Sequence, residues 1–330
     1  MILKNKLILI TVLLAFFSCS NAEIIKDFTL KGRVFGTTYK IVYLDASKNY
    51  QTSLDSLFFL MNKSLSTYIP SSDISRINKG DSTVIVDDLF LEVFTKSKRI
   101  YTETNGFFDP TVGNLVNAWG FGPKKERLNL SEDQVAQQMQ YVGLDKVTIV
   151  NGKIKKQDAQ IYLDFNSIAK GFGIDVVARF LNSKNISNYL IEIGGEIRAK
   201  GVKKENHPWV IKLVNPIKKD SIKGYRKINL SNKSMATSGN YRKFRVTKDG
   251  QKYVHTVNPK TGYAIESNLL SASVIADLDC ADTDAYATAF MAMGLENAKE
   301  FLEIHKNIGA ILLFINKNGD LEEYRTSGYN

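Results

Sequence analysis

The sequence predicts an α+β fold, with mixed sheets and helices packed against them. Stretches of strand-like and helix-like spacing are interspersed without the regular βαβ rhythm of a parallel sheet. Asn151-Gly152 and Asn318-Gly319 stand between neighbouring strand-like runs, where such dipeptides close tight hairpins. A chain of 330 residues, 44% hydrophobic and 24% charged, is long and apolar enough to bury a substantial core in one large domain or two ordinary ones. That composition excludes a disordered chain, a collagen and a polytopic membrane protein.

In chain order, the first segment is an export signal. Lys4 and Lys6 precede an apolar run from Leu7 to Phe17, which is too short for a comfortable membrane span of about 20 residues. The run ends on Ser18-Cys19, so residues 1–18 resemble a bacterial lipoprotein signal, although the leucine usual three residues before the cysteine is absent. Cys19 is then the acylated N-terminus, residues 19–27 a polar tether, and residues 28–330 the folded domain. The alternative is an ordinary cleaved signal with an incidental cysteine. Cys280 is the other cysteine of the chain, so acylation of Cys19 excludes an intramolecular disulfide. The net charge is +10, and loss of Lys4 and Lys6 leaves about +8, which favours anionic partners.

Strands are expected at Phe28–Val34 and Tyr39–Leu44. Leu54, Leu57, Phe58, Met61 and Leu65 recur at helical spacing over 50–66. Asp87 or Asp88 caps a second helix through Phe90, Val93, Phe94, Ser97 and Tyr101. Asn105–Gly122 is Gly-rich and reads as irregular, and Ser131 starts a short helix with Asp133 and Gln134 in its first turn. Val147–Val150 and Lys153–Lys156 form a hairpin, and a strand over 160–164 runs into a helix over Ile168–Leu181. Further strands are expected near 189–193, 209–214, 226–230, 252–257 and 269–275. A long helix over Asp284–His305 precedes a hairpin of Ala310–Ile315 and Leu321–Arg325.

Polar segments between these elements carry the chemistry. Asp164 to Gly173 is a strand-to-helix junction whose free N–H groups suit an anion, with Lys170 close by. It matches neither a Walker A loop nor a GxGxxG fingerprint, and capping by Asp164 and Asn166 is the plainer reading. Ile193-Gly194-Gly195-Glu196 reads equally as a tight turn. Asp284 and Thr288 stand four residues apart on one helix face, and a carboxylate with a hydroxyl suits Mg²⁺. Helix capping explains the same residues without a metal. His255 opens the loop His255-Thr256-Val257-Asn258-Pro259-Lys260-Thr261-Gly262, where a histidine serves as a general base or is simply exposed. His207 and His305 read as surface residues.

Taken together and in order, these segments resemble the ApbE family of flavin transferases. The resemblance runs through Gly32-Arg33-Val34-Phe35-Gly36-Thr37-Thr38-Tyr39, Leu65 to Tyr68 and Ser72 to Asn78. It continues through Gly106 to Gly113, Leu115 to Gly122, Asp164 to Gly171 and Gly194-Gly195-Glu196. It ends with Thr237 to Tyr241, His255 to Gly262 and Asp284 to Thr288, covering nearly all of the chain after the signal.

The resemblance implies a T-fold-like architecture of two subdomains with FAD in the cleft between them. It implies FAD contacts at Phe35, Tyr68, Phe107, Phe108, Asp109, Asp164, Lys170 and Thr256, and a metal held by the Ser167 carbonyl, Asp284 and Thr288. His255 falls where the family has its proposed catalytic base. Phe35 stands where the family has methionine, Asn258 where aspartate is common, and Asp282 is an extra acid that suits a place behind the metal ligands. The implied activity is Mg²⁺-dependent transfer of FMN from FAD to a threonine (or serine) of an exported or membrane redox protein, releasing AMP. A FAD pyrophosphatase and a non-catalytic flavin-binding lipoprotein are the alternatives. The expected partners are FAD, the acceptor protein and, through the lipid, the periplasmic face of a bacterial membrane. The basic stretch Arg242, Lys243, Arg245, Lys248 and Lys252 comes with no nucleic-acid motif, so no nucleic acid is expected.

Overall fold

The computed structural model describes residues 25–123, 130–213, 226–239, 244–246, 252–254, 256–264 and 267–327. The expected signal and Cys19 lie outside the described residues, as does His255. No helix among the described residues is long and apolar enough to cross a membrane.

The strands are β1 (Lys26–Val34), β2 (Thr37–Ala46), β3 (Val147–Val150), β4 (Lys153–Lys156), β5 (Tyr189–Ile193), β6 (Glu196–Lys200) and β7 (Val210–Leu213). They continue as β8 (Arg226–Asn229), β9 (Lys233–Gly239), β10 (Phe244–Val246), β11 (Lys252–Val254), β12 (Leu269–Ala276), β13 (Gly309–Ile315) and β14 (Leu321–Arg325). The helices are α1 (Gln51–Leu65), α2 (Asp73–Asn78), α3 (Asp88–Glu103), α4 (Gly113–Ala118), α5 (Glu132–Met139), α6 (Ala169–Ser183), α7 (Cys280–Met293) and α8 (Leu295–Ile304).

One eight-stranded sheet, ordered β1-β2-β5-β6-β9-β12-β13-β14, is antiparallel throughout. Its alternating side chains feed three clusters, the largest of which packs Ala236, Ala272, Val274 and Leu312 against α3, α7 and α8. Ile41, Tyr43, Ile191 and Ile193 pack with α1 and α6 on one face. On the other face Leu44, Ile197, Met235 and Ile275 pack with Trp209, Leu213 and Ile228 of the β7–β8 ribbon. A satellite cluster of Leu115, Trp119, Val135, Val257 and Ala264 joins α4 and α5 to the 256–264 loop.

Local chemistry explains many boundaries. The Asp87 carboxylate accepts from the Phe90 N–H and caps α3. Ser131 and Gln134 form a reciprocal capping box on α5. Asn151 and Gly152 both take positive φ, the geometry of the tight β3–β4 turn.

Four expectations need correction. Residues 160–164 form no strand beyond a single bridge from Tyr162 to Val112. Asn78 accepts from the Leu163 N–H and donates to its carbonyl, both at 2.8 Å, so a side chain satisfies this backbone in place of a strand. The expected long C-terminal helix begins earlier, at Cys280, and breaks at Gly294 into α7 and α8. The supposedly irregular 105–122 segment contains α4. Lys26 and Asp27 belong to β1, so the tether ends sooner than residue 27.

Candidate active site

At one end of the sheet, the β1–β2 and β5–β6 turns lie beside the first turn of α6, which meets the start of α7, while the C-terminal end of β9 faces Thr288 further along α7. The α6–α7 contact is backbone to backbone. A Cβ at Gly171 would lie 2.2 Å from the Cys280 carbonyl oxygen, so glycine is required there. The Gly171 N–H donates to Asp284 Oδ2 at 3.0 Å. Lys170 Nζ lies 3.1 Å from Glu196 and 3.5 Å from Asp284. Burial by itself would lower the Lys170 pKa, but the two carboxylates outweigh it and hold the ammonium above the ordinary lysine range. Burial pushes both carboxyls up, against the attraction of Lys170.

Thr288 is the member of α7 that escapes burial, and its hydroxyl lies 3.2 Å from that of Ser238 on β9. Asp284 and Thr288 therefore turn the site-facing side of an otherwise buried helix toward α6 and β9. Ser167 sits half-buried in the turn entering α6. Glu196 Oε2 is buried with no hydrogen-bond partner among the described residues. These are hard oxygen donors, and no group of three or more His, Cys, Asp and Glu side chains gathers around a metal position among the described residues. The donor set fits Mg²⁺, which is usually bound by one or two carboxylates and completes its octahedron with water and phosphate oxygens.

Asp175 of α6 fixes where α7 starts. It is 0% exposed and accepts from the Cys280 N–H at 2.9 Å and the Ala281 N–H at 2.8 Å, taking up two free donors of the helix end. Arg198 pairs with both Asp175 and Asp279, and Lys96 reaches Asp279 at 2.7 Å. Burial and the Asp279 charge push the Asp175 carboxyl up to about 6, against Arg198. Burial would also raise Asp279, but Lys96 and Arg198 outweigh it and hold that carboxyl at about 2. Asp282 points the other way, into ion pairs with Arg99 at 2.7 Å and Lys96 at 3.6 Å on α3. It therefore joins two helices instead of backing the metal ligands.

The aromatic residues lie on turns. Phe35 takes a positive φ of 50° at the β1–β2 turn, a costly conformation for a bulky residue and one that marks functional sites. Its ring meets Phe58 edge-on at 5.8 Å and fills the space beside Gly173, where a Cβ would come within 2.6 Å. Tyr68 is 57% exposed. Partial burial and then the Asp164 charge raise its phenol pKa, so these two residues are within electrostatic reach. Asp164 accepts from the Asn166 N–H at 2.8 Å, and the Asn166 amide reaches the Thr67 hydroxyl at 3.2 Å.

The 107–109 turn divides its labour. Phe107 is half-buried, with Lys260 Nζ 5.8 Å from its ring centroid. Phe108 is 1% exposed and belongs to the core. Asp109 is 6% exposed and accepts from the Thr111 N–H and hydroxyl, while the Gly143 N–H donates to that hydroxyl at 2.7 Å. Phe108 and Asp109 thus shape the turn from below and present no open face.

Thr256 is half-buried. Asn258 donates to the Ala292 carbonyl and accepts from the Lys260 N–H, so it ties the 256–264 loop to the far end of α7. His207 is exposed as expected, but His305 stacks on Phe301 with centroids 4.0 Å apart.

Sequence reasoning assigned no role to Glu196, Asp175 or Arg198. Asp175 did carry a signal, a lone acid in the apolar run Gly173-Ile174-Asp175-Val176-Val177, since buried carboxylates are almost always paired. The pairing of Lys170 with Glu196 spans 26 residues and needs the fold to be seen.

The candidate site thus sets a lysine between two buried carboxylates on an antiparallel α+β scaffold. Residues 35–312 match the model of the ApbE family. The chain belongs to the ApbE family. A FAD:protein FMN transferase of Haemophilus influenzae is 34% identical over 331 residues, covering 96% of this chain and 94% of that protein. The solved flavin transferase ApbE from Vibrio cholerae aligns with a TM-score of 0.80 at 33% identity, over 92% of this chain and 98% of that one. The apo form of the Pseudomonas stutzeri flavinyl transferase ApbE aligns with a TM-score of 0.81 at 28% identity, over 92% and 95%.

Proposed function

We propose that this protein is a lipid-anchored, extracytoplasmic FAD:protein FMN transferase. It moves FMN from FAD to a threonine (or serine) hydroxyl of an exported or membrane redox protein and releases AMP. The observation that carries the reading is Lys170 held between Glu196 and Asp284 where two helix N-termini meet. Lys170, at the positive end of the α6 dipole, offsets the charge of a pyrophosphate. Relatives over nearly the full length carry this activity in their names.

In the reaction the acceptor hydroxyl attacks the FMN-side phosphorus in line. The new P–O bond forms as the bridging P–O bond breaks, and AMP leaves with that electron pair. His255 takes the hydroxyl proton, and Thr256 lies beside it. Lys170 faces the bridging and terminal phosphate oxygens, and Asp164 orients the nucleotide from the turn that enters α6. Phe35, Tyr68 and Phe107 offer rings to the flavin, and Phe108 and Asp109 hold the turn beneath. Asp284, Thr288 and the Ser167 carbonyl would hold Mg²⁺, which would supply charge neutralisation on the phosphates.

The test incubates the mature chain with FAD, Mg²⁺ and an exported redox protein, with mass spectrometry of the acceptor and chromatography for AMP. FMN on a threonine, in step with AMP, is expected. AMP without the adduct makes the protein a FAD pyrophosphatase, and neither product makes it a flavin binder. His255→Ala should bind FAD and lose roughly 10²–10⁴-fold in transfer, the usual worth of a positioned base; unchanged turnover removes His255 from the mechanism. Cys19→Ser should move the protein from membrane to soluble fractions, and persistence at the membrane refutes the anchor.

A further inference from the structure

The chain start and the candidate site lie at opposite ends of the sheet. Lys26 opens β1 opposite Ala46, Tyr43 pairs with Tyr189, and Tyr189 pairs with Lys200, so these residues share one end. Phe35, Gly194 and Glu196 are at the other end. Helix α6 runs between the two, with Lys170 in its first turn and Lys184 just beyond its last. Fourteen residues of helix separate these lysines by about 20 Å.

The chain-start end is rich in lysine. Lys26, Lys48, Lys184, Lys203 and Lys204 are exposed, and Lys200 is half-buried. Against them stand Asp27, Asp45 and Glu205, with Asp27 paired to Lys204 at 2.7 Å. Lys233 and Asp277 stand at the same end, so seven cations against four anions leave a surplus of three. Cys19 and Ile25 are six residue steps apart, a reach of at most about 20 Å. A lipid at Cys19 therefore enters the bilayer close beneath this face.

We propose that this lysine-rich end is a membrane-facing surface that rests on anionic lipid headgroups and directs the candidate site away from the bilayer. The inference builds on the Cys19 anchor for the point of attachment, while the lysines supply the orientation. Each lysine near an anionic leaflet contributes about fivefold to binding, and the attraction fades within a Debye length. The site then stands roughly 20 Å or more above the headgroups. Its acceptor presents the target hydroxyl at that height, on a domain or loop well clear of the membrane.

Vesicle sedimentation tests the surface apart from the anchor. The unlipidated mature chain from Ser20 is mixed with phosphatidylcholine vesicles, with or without about 30% phosphatidylglycerol, at ~0.15 M salt. Binding to the anionic vesicles only, lost at high salt, is expected. The combined Lys48→Glu, Lys184→Glu, Lys203→Glu and Lys204→Glu variant should bind at least about a hundredfold more weakly. Reversing Lys63, Lys79, Lys155 and Lys317, which lie elsewhere, should cost far less. If the first variant fails to fold by thermal melting, glutamine at the same four positions gives the same comparison. No binding by wild type, or equal losses from both sets, overturns the proposal. Fractionation of Cys19→Ser reads the anchor alone, so either idea can fail without the other.

Discussion

The two sides of the candidate site are built on opposite plans. On the charged side, Lys170, Glu196 and Asp284 sit where α6 meets α7, and Asp175 pins the start of α7 from within the core. On the aromatic side, Tyr68 stands on a turn at the surface, and Phe35 and Phe107 lean on the core from their own turns. A charged group taken out of water needs fixed partners, so the first side is inseparable from the fold. An aromatic ring needs only a platform, so the second can change with little effect on stability. Substitutions on the charged side should therefore damage stability and activity together, and those on the aromatic side should damage affinity alone.

The sharpest test is Asp175→Ala. It strips two backbone N–H groups of their acceptor and leaves Arg198 with Asp279 only, so about 3–5 kcal/mol of stability should be lost. Denaturant unfolding measures it, and a loss below about 1 kcal/mol means that α7 is held by packing alone. Next comes Asp284→Ala, expected to lower transfer by roughly 10²–10³-fold. It should also abolish any gain in FAD affinity on adding Mg²⁺, read calorimetrically with Mg²⁺ and with EDTA. If wild-type affinity and AMP release ignore EDTA, Asp284 is a capping residue and the metal reading is wrong.

Asp109 qualifies the comparison, because it is a buried charge on the aromatic side. Burial pushes its carboxyl up to about 6, against the hydrogen bonds from Thr111. The folded state then holds the proton more tightly than the unfolded chain. The stabilisation this gives is complete below the ordinary carboxylate range and is lost as pH rises through about 6. Asp109→Asn should flatten the fall in stability between about pH 4 and 6, and unfolding curves with unchanged slopes would refute the assignment. The smallest effect belongs to Tyr68→Ala, which should change stability by no more than about 0.5 kcal/mol and weaken FAD binding by about 1 kcal/mol. A large drop in melting temperature would show that the aromatic side is structural after all.

What the sequence disclosed follows the same division. Signals that act over a few residues were legible: the Asp87 cap, the Ser131–Gln134 box, and the Asn151-Gly152 turn. The motif order disclosed the family, and within it Lys170 and Asp284, which the structure brings into contact. Strands β6 and β9 were missed because Glu196–Lys200 is short and Lys233–Gly239 is small and polar, and both depend on neighbours distant in sequence. The run over 160–164 misled for the converse reason: its alternation is real, but Asn78 takes the hydrogen bonds that a neighbouring strand would have taken. The Asp175–Arg198–Asp279 clamp draws on three separate elements, so no window along the chain contains it.

Phe35 and Gly173 show how such a contact constrains change through time. The ring occupies the space in which a side chain at 173 would begin, with the Met61 methyl 3.4 Å from the same point. Alanine at 173 is therefore blocked while phenylalanine stands at 35, and becomes open once a slimmer residue has replaced it. The two positions form an ordered pair, and the effect of either substitution depends on which came first. A lineage that has placed phenylalanine in this hairpin has thereby fixed the glycine, two turns of history locked by one ring.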